Sequence, residues 1–211
     1  MGNLKIGRTV LGMVSTNCYF VYDEEEKKAL VIDPAFDGAG IYDKLTKNGI
    51  EVAAILLTHG HFDHIMGVNE LREKAGVRVY ASKAEQALCE DAGLNCSDQI
   101  GRPYTVKADV YLTDGEMVTA GGISCKMIET PGHTAGSCCY YFAEEGLLLC
   151  GDTLFAGSVG RTDLPTGSGD TLGRSLREKL MVLPDDVKAY PGHGDSTTIG
   201  EERRYNPFCA S

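Results

Sequence analysis

Five histidines and two carboxylates carry most of the chemistry legible in this sequence. His59, His61 and His64 crowd into the segment Thr58-His59-Gly60-His61-Phe62-Asp63-His64, with Asp63 among them. His133 and His193 follow further along, and Asp152 comes directly after the run Leu147-Leu148-Leu149-Cys150-Gly151. No histidine of the chain lies outside this set. A metal centre is the chemistry that such a set serves.

The spacing divides the ligands into two groups. His59 and His61 are one residue apart, so an extended segment turns both rings to the same side, and His133 can complete that set. Asp63 and His64 lie past a bend and can aim at a second ion, with His193 as the third member. Asp152 has two oxygens and suits a bridging position. Structural zinc sites are usually closed by four ligands rich in Cys, whereas three protein ligands and an open position mark a catalytic ion. Two divalent ions that share Asp152 are expected to lower the pKa of a bridging water to about 7, which makes hydroxide available at neutral pH. Asp63 is also expected to orient that nucleophile. The ions are read as zinc, with iron or manganese as alternatives that His and carboxylate ligands accept.

These side chains need elements to hold them. Strand character is read through residues 3–32, ending at Asp33-Pro34, then a short helix from Ile41 to Asn48-Gly49, then a buried strand from Val52 to Leu57 that delivers the chain to His59. Ile65, Val68 and Leu71 have helical spacing up to Gly76. Asp63 and His64 should therefore sit at a helix N-terminus, whose dipole favours neutral, ligating imidazole. A strand over Val77–Ala81 and a helix over Lys83–Asp91 follow. Residues 92–115 lack periodicity and are expected to form a loop over the site. Strands are then read at Met117–Thr119, Ile123–Ile128, Cys138–Phe142 and Leu147–Cys150, a helix at Leu172–Leu183, and a strand at Val187–Tyr190. Thr130-Pro131-Gly132-His133 and Tyr190-Pro191-Gly192-His193 share Pro-Gly-His after an apolar run, which suggests equivalent turns in two similar halves.

Composition excludes several roles. The 211 residues are 43% hydrophobic and read as one domain over residues 1–211. A net charge of -10 argues against nucleic acid and anionic membranes as partners. Met1-Gly2-Asn3-Leu4-Lys5 opens no apolar leader, Ile6 spoils a myristoylation signal, and no apolar run reaches the roughly 18 residues of a membrane span. The expected compartment is the cytoplasm. There the eight cysteines, without any Cys-x-x-Cys, should be reduced and mostly buried. Cys138 and Cys139, adjacent on a strand, should face opposite ways, and Cys89 with Cys96 is a candidate redox pair.

The run His59-x-His61-x-Asp63-His64, with His133, Asp152 and His193 in order, resembles the metallo-β-lactamase fold superfamily, and within it the short, single-domain glyoxalase II-like branch. Asn17-Cys18-Tyr19, Gly151-Asp152-Thr153-Leu154-Phe155 and Pro191-Gly192-His193-Gly194 also look like that branch. The resemblance implies an α/β fold built as a four-layer αββα sandwich, with the metals at one edge between two β-sheets, and hydrolase activity. Family β-lactamases carry other residues, often Cys, at the place of Asp152, and the diiron flavoproteins carry Glu at that of His61, so neither antibiotic hydrolysis nor gas reduction is the reading. Hydroxyacylglutathione hydrolases place a basic residue after a glycine in the loop that follows the bridging Asp. Gly160-Arg161 matches, so Arg161 is a candidate to grip a substrate carboxylate. Asp163 and Asp195 stand where that family's glutathione pocket has tyrosines, and its helical C-terminal domain is not expected in the 18 residues after His193. The expected function is hydrolysis of a small hydroxyacyl thioester by a dinuclear centre, with a thiol carrier other than glutathione. A mononuclear iron persulfide dioxygenase, which shares the fold, is the alternative, and a non-catalytic metal-bound scaffold is the third reading.

Overall fold

The computed structural model describes residues 4–209, so Met1 to Asn3, on which part of the reading of the N-terminus rests, lie outside the described residues. Two six-stranded sheets organise the chain. The first runs in chain order: β1 (Leu4–Leu11), β2 (Thr16–Asp23), β3 (Lys28–Ile32), β4 (Glu51–Leu56), β5 (Val79–Ser82) and β6 (Val110–Leu112). Its β1 to β3 are antiparallel neighbours, and β3 to β6 are parallel. The second sheet is built from β7 (Met117–Ala120), β8 (Ile123–Glu129), β9 (Cys138–Phe142), β10 (Leu147–Gly151), β13 (Lys188–Pro191) and β14 (Thr197–Thr198), in the spatial order β14-β13-β10-β9-β8-β7. A two-stranded hairpin, β11 (Leu154–Phe155) with β12 (Ser158–Val159), stands apart.

Three apolar clusters account for the layering. Tyr19, Leu30, Ile32, Leu56, Met127, Tyr140 and Phe142 pack between the sheets. Phe20, Val31, Ile55 and Val79, which alternate with residues of the inter-sheet layer, face the other way onto α1 (Gly38–Lys47) and α3 (Val68–Ala75). On the far side, Leu148 and Ala189 pack under α5 (Gly169–Ser175) with its wider turn over 176–180, and under α6 (Ile199–Tyr205). Burying each of these large side chains is worth about 1.5–3 kcal/mol. The four-layer αββα sandwich expected from the resemblance is the fold observed. No helix among the described residues is long and apolar enough to cross a membrane.

Cys138 and Cys139 point to opposite faces, one into the inter-sheet layer and one beneath the outer helices. All eight cysteines are buried and free, so Cys89 and Cys96 form no disulfide here. The helix read over 65–74 is interrupted: α2 (Phe62–Ile65) is a single turn, and α3 restarts at Val68. Between them, Gly67 N–H donates to the carbonyl of Pro34 at 2.8 Å, which ties the break to the turn after β3. The Lys83–Asp91 helix is a 3-10 turn followed by the single-turn α4 (Gln86–Cys89). Residues 92–109 form the expected irregular loop, and β6 ends it as an edge strand.

Candidate metal centre

Both sheets send their strand ends to one edge. Past the end of β4, the carbonyl of Leu57 accepts from the Tyr140 hydroxyl at 3.0 Å and that of Thr58 from Cys138 N–H at 2.8 Å, so β9 of the second sheet clamps the chain immediately before His59. In return, β2 of the first sheet holds the turn that carries His193. Asn17 N–H donates to Gly192 O at 2.7 Å, Asn17 Nδ2 reaches the carbonyls of Pro191 and Gly194, both at 2.9 Å, and the Tyr19 hydroxyl also donates to Pro191 O at 2.9 Å. The Asn17-Cys18-Tyr19 motif is thus the strap that closes the two sheets over the site.

All seven candidate ligands meet at this edge. His59, His61 and His133 offer ligand atoms within 4.8 Å of one another, and so do Asp63, His64 and His193. Asp152 links the groups: Oδ1 lies 3.5 Å from His64 Nε2, while Oδ2 lies 3.6 Å from His133 Nε2 and 3.5 Å from His193 Nε2. Asp63 Oδ2 lies 3.2 Å from His193 Nε2, 3.4 Å from His64 Nε2 and 2.8 Å from the Thr16 hydroxyl that donates to it. Ligand atoms bonded at 2.0–2.1 Å to one tetrahedral ion stand about 3.3 Å apart, which is the spacing found here.

The outer hydrogen bonds set the tautomers. His64 Nδ1–H donates to Asp33 Oδ2 at 2.9 Å. The Thr58 hydroxyl donates to the same oxygen at 2.6 Å, which leaves Thr58 Oγ1 to accept from His59 Nδ1–H at 3.2 Å. His133 Nδ1–H donates to the carbonyl of Arg161 at 2.7 Å. Nε2 of all three rings is thereby freed, as metal-ligating histidines require. Nε2 of His59, His61 and His64, together with Asp152 Oδ1, are buried polar atoms with no hydrogen-bond partner. Orphaned buried groups are costly, and their gathering at this one edge fits bound cations. His61 turns Nδ1 towards His133 Nε2, 2.9 Å away, so Nδ1 is the nitrogen this ring offers to the gap it shares with His133.

Electrostatics separate the triads. Burial, then the neighbouring imidazoles, lowers His59 far below its ordinary value and brings His61 down to about 3; His133 is also lowered, by burial first. Burial would lower His64 too, but Asp63, Asp152 and Asp33 outweigh it and raise the ring to about 10. The expectation of a neutral His64 at a helix N-terminus therefore fails for the metal-free chain, because one helical turn cannot compete with three carboxylates. Burial opposes ionisation of Asp63, yet His64, His193 and Thr16 keep its carboxyl well below the usual range.

Two buried acids that sequence reasoning passed over support the ligands. Asp33, which in the sequence marks only the end of a strand, sits in left-handed backbone at φ 50°. Besides the contacts above it accepts from Thr58 N–H at 2.8 Å, so both of its oxygens are engaged and it orients rings rather than binding an ion itself. Glu85, within a helical-looking Lys83-Ala84-Glu85-Gln86 stretch, accepts from Gly60 N–H at 2.8 Å, Thr134 Oγ1–H at 2.9 Å and Gly136 N–H at 2.8 Å. One carboxylate thus pins the His59–His61 loop to the turn after His133.

Two sequence readings change. The Pro-Gly-His turns follow β8 and β13, both in the second sheet, rather than one in each half. They also differ in backbone, since Gly132 is at φ 142° while Gly192 is not among the positive-φ glycines; at Gly192 it is space that requires glycine, because a Cβ there would meet Asp152 Oδ1 at 2.2 Å. Arg161 reaches the cleft wall, but Asp163 takes its fork through Nε to Oδ1 at 2.6 Å and Nη2 to Oδ2 at 2.7 Å. Its firmest contact with the site is the backbone carbonyl on His133. Gly160 precedes it because a Cβ would lie 1.9 Å from the carbonyl oxygen of Asp152.

The centre opens into a cleft of about 450 Å³ with apolar walls that include Phe62, Phe155, Val159 and Leu164, and the 92–109 loop adds Cys96 to its rim.

Comparison with known proteins agrees with this geometry. The family model of the metallo-beta-lactamase superfamily matches residues 11–193. The hydroxyacylglutathione hydrolase GloC of Haemophilus influenzae is 34% identical over 201 residues, 92% of this chain and 93% of that protein. The crystal structure of the BLEG-1 B3 metallo-beta-lactamase is 38% identical with a TM-score of 0.93, covering 98% of this chain and all of the other. TTHA1623, solved in a di-iron-bound form, is 34% identical with a TM-score of 0.86, over 96% of this chain and 99% of its own. The chain belongs to the metallo-beta-lactamase superfamily and, with it, to the metallo-hydrolases.

Proposed function

We propose that this protein hydrolyses small hydroxyacyl thioesters at a dinuclear metal centre held by His59, His61 and His133 on one side, Asp63, His64 and His193 on the other, and Asp152 between them. The observation that carries the reading is the pair of triads joined by both oxygens of Asp152, with orphaned Nε2 atoms aimed inwards. The di-iron form of TTHA1623 supports two ions, and zinc, iron and manganese all suit the donors. Bound there, divalent ions supply Lewis acidity for an acyl carbonyl and hydroxide at neutral pH. Eight unpaired cysteines fit the cytoplasm as compartment.

The chain's own residues do the rest. Asp63, kept ionised by His64 and braced by the Thr16 hydroxyl, accepts a hydrogen bond from the attacking water and orients it. The apolar cleft walls hold a short acyl group and shed water around it. Beyond the seven candidate ligands, the titratable side chains on those walls are Cys96, whose thiol burial pushes up, and Arg161, tied to Asp163. Neither is placed to protonate a leaving amine. A thiol of pKa about 8.5 can leave as thiolate without such help, which favours a thioester over an amide or lactam. GloC, a hydroxyacylglutathione hydrolase, supports the acyl class.

The likeness to BLEG-1 keeps β-lactam hydrolysis as a second reading. Metal-replete protein assayed against 2-hydroxyacyl thioesters, β-lactams and, by oxygen uptake, a persulfide should turn over the thioesters with the highest kcat/KM. Preference for a β-lactam, or oxygen consumption without thioesterase activity, would reassign the enzyme.

A further inference from the structure

A second cavity, of about 380 Å³, opens beside the metal cleft and shares Phe62 and Asp63 with it. Met13, Phe36 and Met66 form its other apolar walls, and Arg102 from the 92–109 loop lines it as well. The surroundings are unusual for a soluble surface. Of the eight exposed large hydrophobic side chains among the described residues, Val10, Met13 and Val14 sit at the β1–β2 hairpin and Phe36 lies close by, with Gly12 near its Cβ. Four apolar groups left in water next to a reaction centre mark a contact surface. Arg102 makes no ion pair and no side-chain hydrogen bond among the described residues, in contrast to Arg161, whose fork Asp163 fills.

Resting on the thioester reading above, we infer that this groove takes the thiol arm of the substrate: an apolar arm that leaves the reacting carbonyl over Phe62 and ends in an anionic group on Arg102. The acyl group occupies the cleft, so the larger arm must exit, and the groove is the neighbouring cavity that shares the centre's rim. Its volume accommodates roughly a dozen non-hydrogen atoms at about 30 Å³ each. The exposed guanidinium offers a carboxylate or phosphate two parallel donors. On a chain of net charge -10, that cation is a specific attraction rather than part of a basic field.

The test compares two thioesters of one 2-hydroxyacyl group, one with neutral N-acetylcysteamine as the thiol arm and one with 6-mercaptohexanoate. Arg102→Glu, at an exposed position, should raise KM for the carboxylate arm by about tenfold or more, the equivalent of 1.4 kcal/mol, with kcat and the neutral substrate unchanged. Calorimetry with 6-(methylthio)hexanoate on metal-free protein gives a readout independent of turnover: wild type binds, and Arg102→Glu does not. Equal effects on both thioesters, or unchanged binding of the thioether, overturn the assignment. So does a response confined to a substrate whose carboxylate is moved to the acyl side. Should neither thioester be hydrolysed, the functional reading falls, and the calorimetric pair alone decides whether Arg102 recognises the anion.

Discussion

Asp33→Asn is a small change with a large expected effect, because it tests how a residue that binds no metal controls one that does. Three donors converge on the two oxygens of Asp33: Thr58 N–H on Oδ1, and the Thr58 hydroxyl and His64 Nδ1–H on Oδ2. An asparagine can satisfy only one side. If its oxygen faces Thr58 N–H, its amide hydrogens face His64 Nδ1, which must then become an acceptor and move its proton to Nε2. If it is flipped, the amide confronts Thr58 N–H, a buried donor left unpaired at about 1–3 kcal/mol. The first arrangement is the cheaper, since the Thr58 hydroxyl can rotate. It places a proton on the nitrogen that should ligate, and loss of such an outer partner typically costs 10–100-fold in metal affinity. The second ion should therefore bind about 1.4–2.7 kcal/mol more weakly, while the His59, His61 and His133 set changes less. Chelator competition measures both affinities, and nitrogen-15 spectra of labelled histidine in the zinc-loaded protein, where the ring is neutral, report the tautomer. A variant that retains Nδ1–H on His64 and holds both ions at wild-type affinity would refute the reasoning.

Other perturbations follow the same geometry. Glu85→Gln replaces an acceptor of three hydrogen bonds with a group that can accept on one side only; it should cost about 1–3 kcal/mol in denaturant unfolding and weaken the first ion more than the second. Arg161→Ala should leave metal content intact, because the contact with His133 is a backbone carbonyl, whereas Gly160→Ala should abolish it by driving a methyl into the Asp152 carbonyl; elemental analysis of the two variants separates them. Metal-free protein should be most stable near pH 6.5 by urea unfolding. Below that value the unfolded chain takes up protons that His59, His61 and His133 refuse, so stability falls with falling pH; above it His64 keeps a proton up to about 10 that the unfolded chain has lost, so stability falls as pH rises. Each group contributes up to about 1.4 kcal/mol per pH unit, and a flat profile between pH 5 and 9 would contradict the assignment of charges.

The ligands were legible because their chemistry is concentrated: no spare histidine blurs the pattern, and each candidate follows an apolar strand. β9 and β10 could be read from continuous apolar runs, since both faces of the second sheet are covered. What supports the ligands was harder to see. Asp33-Pro34 is a common way to end a strand, and nothing in the sequence marks its left-handed backbone or the three donors that reach it from 25 and 31 residues away. Glu85 sits in a stretch with good helix propensity, and its partners lie 25, 49 and 51 residues off. The break between α2 and α3 is imposed by the packing of Gly67 on the Pro34 turn, which local periodicity does not encode. β11, β12 and β14 have two residues each, too short for any alternation to show. The Pro-Gly-His repeat does not mark matching halves, because a shared tripeptide does not report which sheet its strand joins.

The claim that two triads share Asp152 is tested most directly by counting metal ions in protein purified without added metal or chelator, beside an Asp152→Ala variant checked for fold by circular dichroism. The shared-carboxylate centre predicts about two ions per chain in the wild type and loss of metal with turnover in the folded variant. One ion per chain in the wild type, or a folded variant that stays active and fully loaded, would contradict it.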